Sequence, residues 1–397
     1  MVQELVKGVY WVGVVDWGLK HFHGFELSTH RGSSYNSYLI MDEHVTLVDT
    51  VWAPFTDQFV ENVRKVVDPS KIEYVIANHS EPDHSGALPA IMRLCPNATV
   101  VVSKGGAESI PSYYRGSSWK LKVVRTGDRI NIGSSELLFV EAPMLHWPDS
   151  MFTYLTGKNI LMPNDAFGQH YATASRFNDE VDTDELYQEA IKYFANILAP
   201  FSTAVTRKID ELLALNLPIN MILPSHGVLW RKDPAQIVKA YKKWAEQVPE
   251  KAAIILYDTM WNATRTMAEA IGEGLSAEGV GYKLLYAALS DRNDVLTELF
   301  KTKGIIIGSP TINKGYMPSL APILEELKGM GFKNKIGAAF GSYGWSGESV
   351  KNLEEHLTRC KIPLVSAGVK AKWQPTQEDL ENCRRVGREV GAAIKAD

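Results

Sequence analysis

Short apolar runs separated by polar turns mark the first part of the chain, at 8–15, 37–41, 45–49, 74–77, 99–102 and 137–141. Runs of this length predict strands, and the longer periodic stretches at 57–67 and 86–94 predict helices between them. Strands and helices interleaved in this way imply mixed α/β layers. Around 242–251 a helical Trp/Ala/Glu segment ends in Val248-Pro249-Glu250-Lys251, and a fresh apolar run starts at Ala252. The domain boundary is placed there, giving 1–249 and 250–397. Beyond it the alternation is regular: strands at 252–257, 282–286, 304–308 and 335–340, with helices over about 264–279, 293–300 and 318–329. Parallel strands joined by right-handed helical crossovers, a doubly wound sheet, are the expected outcome.

Composition changes this picture little. At 397 residues the chain exceeds what one core covers, and 45% hydrophobic with 22% charged residues supplies two cores without low-complexity bias. A formal net charge of −4 argues against a polyanion surface and hence against nucleic acid as a partner. No apolar run approaches the ~20 residues of a membrane span, and residues 1–15 lack the pattern of a signal peptide. A cytoplasmic protein with no membrane partner is expected. Cys95, Cys360 and Cys383 form no Cys-x-x-Cys pair, so no rubredoxin-like or zinc-ribbon module lies in this chain. They are expected to be buried thiols. Most of the ten tryptophans are expected in the core.

The densest chemistry follows the apolar strand at 74–77, in Asn78-His79-Ser80-Glu81-Pro82-Asp83-His84-Ser85-Gly86. Single candidates follow three further apolar runs: His146 after 137–140, Asp165 after 160–162 and His226 after 221–223. Loops at one edge of a layered fold can converge while the strands hold them in place. A lone histidine is usually a satisfied core or surface residue, and His21, His30, His44 and His356 are read so. The cluster is different, because burying so many ionisable groups without a cation costs several kcal/mol per unpaired charge, on the order of 5. Seven ligands exceed one tetrahedral ion. Shared between two ions they give histidine and carboxylate to each with one carboxylate to bridge, a shell that suits iron or manganese.

Here the sequence resembles the metallo-β-lactamase superfamily, whose His-x-His-x-Asp-His motif stands as His79-x-Glu81-x-Asp83-His84. Glutamate in place of the second histidine is a harder ligand that moves preference from zinc toward iron. The variant motif, with His146, Asp165 and His226, resembles the flavodiiron proteins, as do the stretches 141–151 and 163–170. The resemblance implies an N-terminal metallo-β-lactamase-like αββα sandwich followed by a flavodoxin-like doubly wound parallel sheet. It implies two non-heme irons: one held by His79, Glu81 and His146, the second by Asp83, His84 and His226, with Asp165 bridging. His84 is left open, since in some members the equivalent histidine turns away and solvent replaces it. His23, Trp147, His170 and Tyr193 are candidates for a surrounding layer, with core packing the alternative for the two aromatics.

After the strand at 252–257 comes Asp258-Thr259-Met260-Trp261-Asn262-Ala263-Thr264-Arg265, which resembles the flavodoxin Thr-x-Thr-Gly-x-Thr phosphate loop with Asn262 in place of glycine. Asparagine tolerates positive φ better than other non-glycine residues. Alone such a loop is more often an ordinary helix N-cap. Two more loops follow strands at the same edge, one with Pro310, Thr311, Ile312 and Asn313, the other with Ser342, Tyr343, Gly344, Trp345, Ser346 and Gly347. Carboxyl ends of parallel strands are where such sheets bind ligands. FMN is the expected cofactor, with Tyr343 and Trp345 beside its ring.

The family resemblance implies an oxidoreductase that passes electrons from FMN to the diiron site, reducing dioxygen to water or nitric oxide to nitrous oxide. It implies a head-to-tail homodimer, extending in some cases to a tetramer, fed by rubredoxin, another small carrier or a reduced deazaflavin. Two other classes compete. A metal-dependent hydrolase would use a metal-bound hydroxide, but Glu81 and an FMN domain count against it. A non-enzymatic electron carrier would have no use for a complete ligand set.

Overall fold

The computed structural model describes residues 2–22, 24 and 26–396. The chain divides into two compact units, 1–194 with 201–245, and 195–200 with 246–397.

The first unit is built on two sheets. One contains β1 (Gln3–Val6), β2 (Val9–Trp11), β3 (Tyr38–Ile40), β4 (Thr46–Val48), β5 (Tyr74–Ala77), β6 (Thr99–Val102) and β7 (Lys120–Val123), in that spatial order. Pairing is antiparallel as far as β4 and parallel from β4 to β7. The second contains β8 (Arg129–Asn131), β9 (Glu136–Glu141), β10 (Met151–Leu155), β11 (Ile160–Met162) and β12 (Met221–Ile222), with only the last pair parallel. Trp11, Tyr38, Ile76 and Val101 from one sheet share an apolar core with Phe139, Met151, Ile160 and Leu223 from the other. Amphipathic helices such as Thr56–Arg64, which buries Phe59, Val60 and Val63, complete an αββα sandwich. The run at 8–15 proves to be two strands. Val9–Trp11 joins the large sheet, whereas Val14–Asp16 forms a separate ribbon with Ser33–Tyr35.

The second unit is a five-stranded sheet of β13 (Glu250–Tyr257), β14 (Gly281–Tyr286), β15 (Thr302–Gly308), β16 (Ile336–Tyr343) and β17 (Val369–Lys372). Its order is β14-β13-β15-β16-β17 and every pair is parallel. That is the flavodoxin arrangement, with the direction of winding reversing between β13 and β15. β15 is buried along its whole length, as a strand with both faces covered must be.

All three cysteines are free and buried. The tryptophans depart from expectation: Trp11 and Trp230 are buried, but Trp17, Trp52, Trp261, Trp345 and Trp373 are exposed. Trp261, Trp345 and Trp373 are in the second unit, on loops after strands. Among the described residues no helix is long and apolar enough to cross a membrane.

Candidate metal centre and flavin edge

The first ligand loop is anchored from below. After β5, the Asn78 backbone N–H and side-chain amide donate to the buried Asp49 carboxylate at 2.8 and 3.0 Å. Burial pushes Asp49 above its usual range, against the bonds from Asn78. His79 and Glu81 follow, and the single helical turn Pro82–Ser85 carries Asp83 and His84 side by side. The loops after β9, β11 and β12 bring in His146, Asp165 and His226.

These side chains form two groups: His79, Glu81, His146 and Asp165, and Asp83, His84 and His226. Asp165 lies between them. Its Oδ2 is 3.7 Å from His79 Nε2 and 3.5 Å from His146 Nε2, and its Oδ1 is 3.0 Å from His84 Nε2 and 3.5 Å from His226 Nε2. Glu81 Oε2 stands 3.1 Å from His79 Nε2 and 3.3 Å from His146 Nε2. Asp83 Oδ2 stands 3.1 Å from the Nε2 atoms of both His84 and His226. His84 is therefore turned inward.

Burial alone would lower each histidine, but Asp83 and Asp165 raise His84 to about 9, and Asp165 with Glu81 raises His146 to about 9. His79 lies well above its ordinary value, where burial is outweighed by Asp149 and Glu81. Asp165 is held well below the carboxylate range, burial being overcome by the surrounding histidines. Yet the groups do not satisfy one another. Both Asp83 oxygens, Asp165 Oδ2 and both ring nitrogens of His84 are buried without a hydrogen bond. Nitrogens and oxygens that converge in this way fit cations placed in the two groups, and imidazole with hard oxygen suits iron or manganese.

A further layer orients the candidate ligands. Asp149, which sequence reasoning missed, receives the His79 Nδ1 contact at 3.1 Å to each oxygen. His226 Nδ1 donates to the Ser34 carbonyl at 2.7 Å, and the Ser225 hydroxyl donates to Asp165 at 3.0 Å. Trp147 stands edge-on to His79 at 5.1 Å between centroids. His170 lies 5.1 Å from both Tyr193 and His226 by the same measure. His23 lies outside the described residues. A cavity of about 390 Å³ reaches Glu81 and Asp83 past Leu19, His21, Phe22, Tyr35 and Trp52, so the centre opens onto a mainly apolar space. No signal along the chain ties Asp149 to His79, which stands 70 residues away.

In the second unit the three loops past β13, β15 and β16 are cross-linked. Trp261 and Asn262 both take positive φ, 52° and 62°, at the start of helix Ala263–Ala277. Thr264 is buried and its hydroxyl meets that of Ser342 at 2.9 Å. Thr311 donates through its backbone to the Ser342 carbonyl at 2.8 Å and through its hydroxyl to Ser349 at 2.9 Å. Thr259 accepts from the Arg265 N–H at 3.3 Å. Met260, Trp261 and Trp345 are exposed. Asn313 takes φ 49° beside the Ile312–Gly315 bridge. Trp373, unforeseen, packs on Gly344, where a Cβ would lie 2.7 Å from its ring. Pro310, Ser346 and Gly347 lie on these loops, whereas Ala263 opens the helix and Ser342 and Tyr343 end β16, which runs three residues past its expected end at 340.

Residues 34–227 match a family model described as ODP family beta lactamase, and residues 255–387 match Flavodoxin. The chain is 48% identical over 391 residues to a nitric oxide reductase of Moorella thermoacetica, covering 98% of each. It is 48% identical over 387 residues to an anaerobic nitric oxide reductase flavorubredoxin of Escherichia coli, covering 97% of this chain and 81% of the relative. Among solved structures, rubredoxin oxygen:oxidoreductase from Desulfovibrio gigas superposes with TM-score 0.97 at 35% identity, over 100% of this chain and 99% of the other. The flavodiiron protein from Giardia intestinalis does so with TM-score 0.95 at 35% identity, over 100% and 97%.

Proposed function

The chain belongs to the flavodiiron protein family and is an oxidoreductase, and from that premise we propose that it passes electrons from FMN to a non-heme diiron site that reduces dioxygen to water, nitric oxide to nitrous oxide, or both. The observation that carries this reading is Asp165, whose two carboxylate oxygens face two separate groups of histidine and carboxylate. When bound, the flavin collects electrons from a donor and the iron pair delivers them to the diatomic.

In this reading His79, Glu81 and His146 would hold one iron and Asp83, His84 and His226 the other, with Asp165 shared between them. Trp147, His170 and Tyr193 would stand in the layer around them. The mainly apolar walls of Leu19, Phe22, Tyr35 and Trp52, with His21 beside them, suit a small neutral gas, which supports reduction over hydrolysis. A plain electron carrier would not need buried ligand atoms without partners. Thr259 to Thr264, Pro310 to Asn313 and Ser342 to Gly347 would cradle the FMN, with Tyr343 and Trp345 the aromatics offered to its ring. The functional division falls at 249/250. The working unit is a head-to-tail homodimer or a tetramer built from it, supplied by rubredoxin or a reduced deazaflavin. Three free thiols suit a reducing compartment such as the cytoplasm.

Metal and flavin content, followed by anaerobic turnover of both gases with a defined donor, tests the reading. Two irons and one FMN per chain with gas reduction are expected. Two zincs, no flavin absorbance and no gas consumption would sink it.

A further inference from the structure

The layer behind the ligands is not symmetric. His79 directs Nδ1 at the Asp149 carboxylate, 3.1 Å from each oxygen, whereas His226 directs Nδ1 at the neutral Ser34 carbonyl, and His84 Nδ1 has no hydrogen bond. Asp149 is buried and firmly held. Its Oδ2 accepts from the Ser80 N–H at 2.7 Å and from the Ser80 hydroxyl at 2.6 Å, and its backbone carbonyl accepts from Ser103 at 2.6 Å. No lysine or arginine bonds to this carboxylate in the described contacts, so its charge is directed to the imidazole. A carboxylate behind a ligating histidine sets the tautomer, leaving the Nε2 lone pair free for metal, and makes that nitrogen a stronger donor.

We propose that Asp149 is a positioning residue that makes the His79–Glu81–His146 side the first-filled and more strongly donating of the two metal positions. The inference rests on the two-iron reading above. A position whose histidine is backed by an anion binds a cation more tightly and is harder to reduce, so the two irons are unlike before any substrate arrives.

The test is ferrous titration of the metal-free, FMN-loaded full chain under argon, with Mössbauer spectra of the filled protein. Wild type is expected to bind in two resolved steps and give two doublets. Asp149→Asn keeps the shape but removes the charge. It should weaken the first step by about 10- to 100-fold, leave the second unchanged and shift one doublet only. Ser80→Ala, which loosens Asp149 without touching His79, should move the same doublet by less, and it serves if the first variant does not fold. Unchanged steps in Asp149→Asn, or both steps weakened alike together with a lower melting temperature, would overturn the inference while leaving the two-iron reading intact. A wild-type chain that takes up no ferrous ion would overturn both.

Discussion

At the scale of single residues, the centre depends on atoms that have no partner in the protein itself. Asp165 is 1% exposed and stands within 3.7 Å of four histidines, so its removal leaves those rings without their shared counter-charge. Asp165→Ala is expected to lose at least one iron and all gas reduction while keeping FMN, which resides in the other unit. Iron and flavin per chain are the measurement, and two retained irons with normal turnover would refute the bridging role. Gly227 is a second sensitive point. It takes φ 74°, and a Cβ there would lie 1.6 Å from Gln169 Oε1 and 2.4 Å from the Gln169 carbonyl. Gly227→Ala should cost roughly 1–3 kcal/mol in urea unfolding and displace His226, lowering metal content. A variant as stable as wild type would mean that the 169 loop yields freely.

At the scale of elements, the same physics is spread over hydrogen bonds that join loops and end helices. Thr264, expected from sequence to face a phosphate, is buried with its hydroxyl on Ser342, so it also ties the first flavin-edge loop to the third. Thr264→Ala is expected to weaken FMN binding about 10-fold, with iron retained, since a bond to a charged group is worth about 1.5–3 kcal/mol and one between hydroxyls less. Flavin affinity by fluorescence decides it; an unchanged value would remove Thr264 from the cradle. The closing helix Gln377–Lys395 starts with a complete capping box, Thr376 accepting from the Asp379 N–H and the Asp379 side chain from the Thr376 N–H. Thr376→Ala should lower stability by about 1 kcal/mol without altering metal or flavin content. Thermal melts of the second unit's transition read this, and no shift would mean the box contributes nothing.

At the scale of the whole molecule, the proposed function requires electrons to pass from FMN on the flavodoxin-like unit to metals on the other unit, and the proposed dimer would supply that passage between chains. An isologous two-fold interface creates two equivalent cross-subunit pairs. Mixing an Asp165→Ala chain with a chain altered at Thr264 and Trp345 leaves one intact pair in the heterodimer. About half of one wild-type dimer's activity is expected if the two sites act independently. A heterodimer as inactive as its parents, or a fully active monomer, would place the transfer inside a single chain.

The amino-acid pattern by itself determined the class of the fold and the ligand cluster, because both rest on local rules. Apolar runs of strand length specify buried strands, and a polar cluster after such a run stands at a sheet edge wherever the sheet lies. β5 and β6 match their runs at 74–77 and 99–102, and β13 to β16 follow theirs closely. Of the strands that the apolar runs did not mark, β1, β7, β8 and β17 are edge strands, half exposed and partly charged, so they carry no continuous apolar signature. β10 is the exception, a central and fully buried strand whose short run was missed beside the 141–151 stretch. Only the tertiary structure decided which groups stand behind the ligands. Asp149 behind His79, Ser34 behind His226 and Asp49 beneath Asn78 join residues 70, 192 and 29 positions apart, and no local rule pairs them. The inward turn of His84 and the exposure of Trp261, Trp345 and Trp373 belong to the same class, because each depends on what the opposite layer does or does not place against the side chain.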